Sequence, residues 1–184
     1  FIPAAERYNL MTSIDRWVVR KAFETIAQNA FITRGWLFSI NLSGQSLSED
    51  NFLKFVVDAF DKTGISPEQI CFEITETTAM LNLTRATQFI AVLKGMGCRF
   101  SLDDFGTGLS SFGYLKALKV DFLKIDGSFV RNIVSDSVNR AVVEAANQIG
   151  HAMGIQTVAE FVENDEILRL LRDIGVDFAQ GYGV

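Results

Sequence analysis

The chain has 184 residues, 48% of them hydrophobic and 21% charged, with a formal net charge of −5. That apolar content can bury one sizeable core, and the acidic balance is the wrong sign for a protein that coats nucleic-acid polymers. The lone histidine, His151, leaves no basis for a multi-histidine zinc site or a histidine-based triad; in Gly150-His151-Ala152-Met153-Gly154 it ends a helical pattern, a place that suits an imidazole without any function.

No uncharged run of 18 apolar residues exists, so no membrane span is expected. The start Phe1-Ile2-Pro3, with Glu6 and Arg7 close behind, has neither a signal-peptide layout nor an initiator Met. The chain is therefore expected to be an excerpt of a longer protein. Cys71 and Cys98 sit in apolar, strand-like runs without metal-ligand spacing and read as buried free thiols in a reducing compartment.

The first 35 residues show only helical patterning. Short β-branched or aromatic runs then predict strands over 36–43, 70–75, 99–104, 121–126, 156–161 and 177–180. Between them, helical spacing predicts helices over 48–62, 82–96, 137–153 and 164–174. The first presents Phe52, Phe55, Val56, Ala59 and Phe60 on one face, and the second Ala86, Phe89, Ile90 and Leu93. Gly64, Gly97, Gly154 and Gly175 follow these helices as stops, and Asn82 and Ser137 are candidate N-caps. Strand–helix alternation of this kind means an α/β fold with parallel crossovers.

The strand faces separate a barrel from an open sheet. In 70–75 one face is Ile70, Phe72 and Ile74 and the other Cys71, Glu73 and Thr75; in 38–41 Phe38 and Ile40 oppose Ser39 and Asn41. A large apolar face suits packing against helices, and a small or polar face suits a barrel interior. Polar residues recur near the C-terminal ends of the strands at 41, 73, 103, 124, 160 and 180, about 28 residues per step, as strand-plus-helix units require. The expected fold is a TIM-like (β/α)8 barrel lacking its first strands, forming one domain over residues 1–184.

In such a barrel the strand ends share one mouth, so Asn41, Glu73, Asp103, Asp104, Lys124, Glu160 and Gln180 would gather there. Taken singly, each acidic residue is as well explained by a helix cap or a solvated loop. Taken together, several carboxylates with one lysine call for divalent cations, and all-oxygen ligation selects hard ions such as Mg²⁺, Mn²⁺ or Ca²⁺. Two such ions suit phosphoryl ester hydrolysis, with Lys124 neutralising phosphate charge or orienting water. The adjacent pair Asp103-Asp104 could contact both ions only if the strand twists or ends there. The segment 103–111 reads either as a loop that positions its aspartates or as a plain connection with Ser110 or Ser111 capping the next helix. Glu76 is either an anchor beneath that loop or an exposed turn residue, and Phe112, Tyr114 and Leu115 read as packing or dimer surface.

The motifs resemble the EAL family of cyclic di-GMP phosphodiesterases along nearly the whole chain. The residues that carry the resemblance are Phe1-Ile2-Pro3-Ala4-Ala5-Glu6, Asn41-Leu42-Ser43, Glu73-Ile74-Thr75-Glu76, the run Asp103 to Ser111, Leu123-Lys124-Ile125-Asp126-Gly127, Ala159-Glu160-Phe161-Val162-Glu163 and Gln180-Gly181-Tyr182. The resemblance implies metal-dependent hydrolysis of cyclic di-GMP to linear pGpG. It implies that Asn41, Glu73, Asp103, Asp104 and Glu160 bind two Mg²⁺ or Mn²⁺ ions and that Glu160, or a water bridging the metals, is the base. Lys124 assists, Glu76 holds the loop and Gln180 lines the substrate site. It also implies a homodimer through the 103–111 loop and the following helix, sensor or cyclase domains in the parent chain, and a cytoplasmic domain whose parent can be membrane-anchored. The namesake Glu-Ala-Leu and the arginine after it are not in these residues, and Leu109 stands where the family often has an aromatic residue. The 184 residues alone are therefore expected to be a poor hydrolase. The alternative is a catalytically degenerate module that binds cyclic di-GMP as a receptor or scaffold.

Overall fold

The computed structural model describes residues 1–108 and 112–184, which fall into two compact units. The first comprises Phe1–Ile74 with Thr78–Phe100. It opens with helices α1 (Ile2–Arg7), α2 (Met11–Gln28) and α3 (Ala30–Thr33), followed by strand β1 (Phe38–Asn41). Then come α4 (Gly44–Ser48), α5 (Phe52–Thr63), β2 (Ile70–Thr75), α6 (Glu76–Leu81, whose first two residues belong to the second unit), α7 (Leu83–Met96) and the start of β3 (Arg99–Phe105). β1 and β2 pair in parallel from Phe38 opposite Ile70 to Asn41 opposite Glu73.

The core of this unit is built from phenylalanine. α5 buries Phe52, Val56, Ala59 and Phe60, and α7 buries the predicted Ala86, Phe89, Ile90 and Leu93. Phe89 meets Phe72 of β2 and Phe100 of β3 edge-on, at centroid distances of 6.2 and 6.1 Å, and Phe23 of α2 meets Phe60 at 4.5 Å. Fully burying one such ring is worth about 1.5–3 kcal/mol, which makes this cluster the main anchor of the two strands. Phe55 stays half-buried beneath the Arg16 guanidinium, 4.7 Å from its ring centroid.

The second unit comprises Thr75–Thr77 with Ser101–Val184. After β3 come α8 (Leu115–Leu118), β4 (Phe122–Ile125), α9 (Gly127–Val130), α10 (Ser137–Ala152), β5 (Gln156–Ala159), α11 (Asp165–Ile174) and β6 (Phe178–Ala179). Within this unit β3 pairs with β4, β4 with β5 and β5 with β6, all in parallel.

Most strands are shorter than the hydrophobic pattern suggests. Their last polar residues leave the ladder for other partners: Asp126, for example, caps α9 by accepting from Ser128 N–H at 2.9 Å. The predicted helix from Ser48 is two elements. Ser43 caps α4, and Glu49 breaks the run in extended conformation before α5 begins. α10 is capped one residue earlier than predicted, by Asp136 accepting from the N–H groups of Val138 and Asn139, and Asn82 makes no side-chain cap. The predicted glycine stops hold: Gly64, Gly97 and Gly175 end their helices at φ of 68°, 111° and 87°, and Gly154 follows α10 at 72°. Cys71 and Cys98 are buried and form no disulfide, and burial pushes the Cys98 thiol up to about 12. Among the described residues no helix is long and apolar enough to cross a membrane.

His151 has a partner that its sequence position did not suggest. Asp177, just before β6, accepts from the His151 ring Nε2 at 2.8 Å, from Thr157 N–H at 2.7 Å and from the Thr157 hydroxyl at 3.1 Å. The same hydroxyl lies 2.6 Å from Asn147 Oδ1, and Asn147 donates to the Ile174 carbonyl at 3.2 Å, so α10, β5, α11 and β6 are joined by one polar network. Partial burial pushes the Asp177 carboxyl up, but its hydrogen bonds from Thr157 and His151 outweigh this and hold it below the usual carboxylate range. A depressed carboxyl contributes stability above its unfolded pKa and loses it as pH falls through the folded value. Asp177→Asn is expected to destabilise the protein by about 1–2 kcal/mol at pH 7, with the gap to wild type closing below about pH 4; urea melts at both pH values check this.

Candidate active site

The site in the second unit is assembled from the ends of three adjacent parallel strands. On β3 the pairing register shifts between Leu102 and Phe105, and Asp104 takes φ +57°, a left-handed conformation uncommon for a residue with a side chain. Successive residues of a regular strand face opposite ways. The bulge removes that constraint, and carboxylate oxygens of Asp103, Asp104 and Glu160 all lie within 4.8 Å of one another. The sequence required the strand to twist or end at this pair, and the bulge at Asp104 is how it does so.

Lys124, on β4, is 5% exposed. Its Nζ lies 3.0 Å from Asp103 Oδ1 and 2.6 Å from Glu160 Oε1. Its register partner on β5 is Val158, and Glu160 stands two residues further on, where the pleat returns a side chain to the same face. One ammonium thus faces three carboxylates. Burial raises the Glu160 carboxyl; the Lys124 hydrogen bond opposes this, and repulsion from Asp103 and Asp104 adds to it. Asp104 is raised as well, by burial first and then by the charges of Asp103 and Asp126. Three partly buried carboxylates, with only oxygen donors, fit a hard divalent cation, whose charge would offset the burial and repulsion that raise Asp104 and Glu160.

Beneath this cluster Glu76 is fully buried. It accepts from Tyr114 Oη at 2.5 Å and from Gly106 N–H at 3.1 Å, so it ties the segment after Asp104 from below and is not an exposed turn residue. A Cβ at Gly108 would stand 3.1 Å from the Glu76 carboxyl carbon, so that glycine gives the carboxylate room. Burial and the adjoining Glu76 carboxylate push the Tyr114 hydroxyl far above the usual phenol range, leaving it a hydrogen donor at any physiological pH. Tyr114 and Leu115 are buried, which favours packing for these two. Leu109, Ser110 and Ser111, with the capping and dimer readings placed on them, lie outside the described residues. Gln180 lines a cavity of about 330 Å³ with Glu160, Phe161, Glu163, Gly181 and Tyr182.

In the first unit, the predicted Asn41 and Glu73 are register partners at the ends of β1 and β2, and Leu42 N–H donates to the Glu73 carbonyl at 2.9 Å. The sequence reading missed Asp15. Its carboxylate, 4% exposed, accepts from Ser43 N–H, Ser43 Oγ and Ser46 Oγ at 2.9, 2.7 and 2.6 Å, clamping the turn that follows Asn41. A signal was present: Met11, Asp15, Val19, Phe23 and Ile26 form the buried stripe of α2, and a carboxylate in such a stripe needs partners.

The profile of the EAL domain family matches residues 1–184. The chain is 44% identical over all its 184 residues to cyclic di-GMP phosphodiesterase PdeB of Shewanella oneidensis, and 38% identical over 182 residues to cyclic di-GMP phosphodiesterase PdeF of Escherichia coli. It spans 22% and 24% of those proteins. Among solved structures, the PaMucR phosphodiesterase in complex with c-di-GMP superposes with a TM-score of 0.93 at 32% identity, covering 99% of this chain and 74% of that one. The FimX EAL domain from Pseudomonas aeruginosa bound to c-di-GMP gives 0.90 at 30% identity, covering 99% and 73%. The fold is the α/β, TIM-like barrel of these domains, of which the described residues carry six strands. Motif order, strand-end chemistry and superposition agree, and the chain belongs to the EAL domain family.

Proposed function

We propose that this domain hydrolyses cyclic di-GMP to linear pGpG with the help of two divalent cations, Mg²⁺ or Mn²⁺. The observation that carries the reading is the grouping of Asp103, Asp104 and Glu160 around Lys124, in a chain 44% identical to a named cyclic di-GMP phosphodiesterase. Asp103, Asp104 and Glu160 would hold the ions. Asn41 and Glu73 join them as proposed ligands on the family's motif order. The ions supply Lewis acidity at the phosphate and a lowered pKa for water.

The remaining chemistry falls to the side chains. A water oxygen forms a bond to phosphorus as one P–O3′ bond breaks; O3′ leaves with the bonding pair and takes a proton from solvent, opening the ring to a 5′-phosphate and a 3′-hydroxyl. Glu160 accepts the proton of the attacking water; its raised pKa brings it closer to the pH at which it must work. Lys124, already 2.6 Å from Glu160, is placed to neutralise charge on the phosphoryl oxygens and to steady the carboxylate. Glu76 fixes the segment that carries Asp103 and Asp104, and the Gln180 amide lines the cavity beside Glu160. A homodimer and additional sensor or cyclase domains belong to the same proposal, the latter supported by relatives four to five times longer than this chain.

The test is turnover by the complete protein after chelation. Activity is expected to fall by at least ~100-fold, to return with Mg²⁺ or Mn²⁺, and to return poorly with Ca²⁺, whose looser coordination fixes a water less well. Full activity in excess chelator would overturn the metal role. Binding of cyclic di-GMP without cleavage under every metal would replace the enzyme with the receptor reading.

A further inference from the structure

We infer that Phe161 is a positioning residue for Glu160 and that the missing side chain of Gly127 is what admits it. This rests on the role proposed for Glu160.

Phe161 follows Glu160 directly and holds φ +53°, a conformation that a bulky side chain adopts only when its surroundings impose it. Hydrophobic burial does not impose it, because the residue is 46% exposed. The surroundings are specific instead. A Cβ built on Gly127 would lie 2.6 Å from Phe161 Cγ and 2.9 Å from Phe161 Cβ. The second contact cannot be relieved by turning the ring, so any side chain at 127 would push the Phe161 backbone itself. The Arg131 guanidinium also sits 4.2 Å from the ring centroid, and Arg131 Nε is 3.7 Å from Glu163 Oε1. The ring is thus held by the first residue of α9 and by an arginine one turn later.

That clamp bears on the reacting groups. Gly127 lies three residues after Lys124 and Phe161 one residue after Glu160, so the ring braces the end of β4 against the end of β5. The backbone on either side is already tied: Glu160 N–H donates to the Ile125 carbonyl at 3.3 Å and Val162 N–H to the Gln180 carbonyl at 3.0 Å. With both flanks fixed, the turn at Phe161 sets where the Glu160 carboxylate stands relative to Lys124. Misplacing such a group by an ångström can cost up to about 100-fold in rate.

The test is a double-mutant cycle in the complete protein: Gly127→Ala, Phe161→Gly and both together, each with kcat, KM, Mn²⁺ affinity by calorimetry without substrate, and melting temperature. Gly127→Ala is expected to lower kcat by about 10-fold or more and to weaken Mn²⁺, with KM within about twofold. Phe161→Gly should lose less in both readouts, because glycine keeps the turn but frees it. The double variant should match Phe161→Gly, not the product of the two losses, because the methyl introduced at position 127 then has nothing to strike. Multiplicative losses, a wild-type-like Gly127→Ala, or a Phe161→Gly with unchanged kcat and Mn²⁺ affinity would each overturn the proposal. If the wild type turned over no cyclic di-GMP but Mn²⁺ affinity followed the same cycle, the proposed reaction would fail while the positioning role stood.

Discussion

Asp103→Asn and Glu160→Gln are each expected to lower cyclic di-GMP turnover by about 1,000-fold or more, while Asp104→Asn and Glu160→Gln raise the melting temperature of the metal-free protein. The two effects have one origin. Burial and mutual repulsion raise the Asp104 and Glu160 carboxyls, and Lys124 offsets only part of this. A carboxyl raised in the folded state binds protons more tightly there than in the unfolded chain. Its ionisation therefore costs stability in full above the folded pKa, and the cost fades as pH falls through that value. The neutral amide of nearly the same shape removes the cost along with the charge that holds a cation. In the metal-free protein the stability gap between these variants and wild type should narrow as pH is lowered from 7 toward the ordinary carboxylate range, and adding Mn²⁺ at pH 7 should stabilise wild type more than the variants. Glu73→Gln is expected to match the turnover loss. Calorimetric melts with and without metal, beside turnover, check all of this; unchanged turnover in Asp103→Asn and Glu73→Gln alike would remove the ligand assignment.

Glu76→Ala is expected to destabilise the protein by about 2–4 kcal/mol and to reduce turnover with it. Truncation leaves the Tyr114 hydroxyl and the Gly106 N–H without their acceptor in a buried place and opens a void against Gly108. Glu76→Gln keeps the volume and one carbonyl acceptor, so it should lose about half as much. Tyr114→Phe leaves the carboxylate buried with one donor fewer and should fall between the two. Denaturant midpoints measure the first effect. Melting unchanged in Glu76→Ala would mean that the loop is held by other contacts.

What the sequence made legible follows from what each feature depends on. Period-two alternation and helical spacing depend on neighbours along the chain, so β2, the α7 face of Ala86, Phe89, Ile90 and Leu93, and the glycine stops could be read directly. The expected grouping of Asp103, Lys124 and Glu160 followed from strand-end register in a parallel fold, and Lys124 Nζ lies within 3.0 Å of both carboxylates. What was not legible depends on backbone angles or on partners far along the chain. The left-handed turn at Asp104 lets two adjacent aspartates share one side, and no local pattern marks it. The cap of α10 lies at Asp136 rather than Ser137 because both residues can cap and only the helix register chooses between them. Burial of Glu76 requires Tyr114, 38 residues away, and the braced pair of Gly127 and Phe161 spans a similar gap.

The state of Cys98 decides how this protein can be watched at work. With its thiol at about 12, roughly one molecule in 10,000 carries a thiolate at pH 8, and it is the thiolate that attacks alkylating reagents. Cys71 is 1% exposed and Cys98 3%, so reagent access is blocked at both as well. A single cysteine introduced on an exposed position such as Glu163, at the rim of the Glu160 cavity, would be the one thiol to take up a maleimide fluorophore or a nitroxide. Ligand arrival could then be followed by fluorescence or spin-label mobility without first removing either native cysteine.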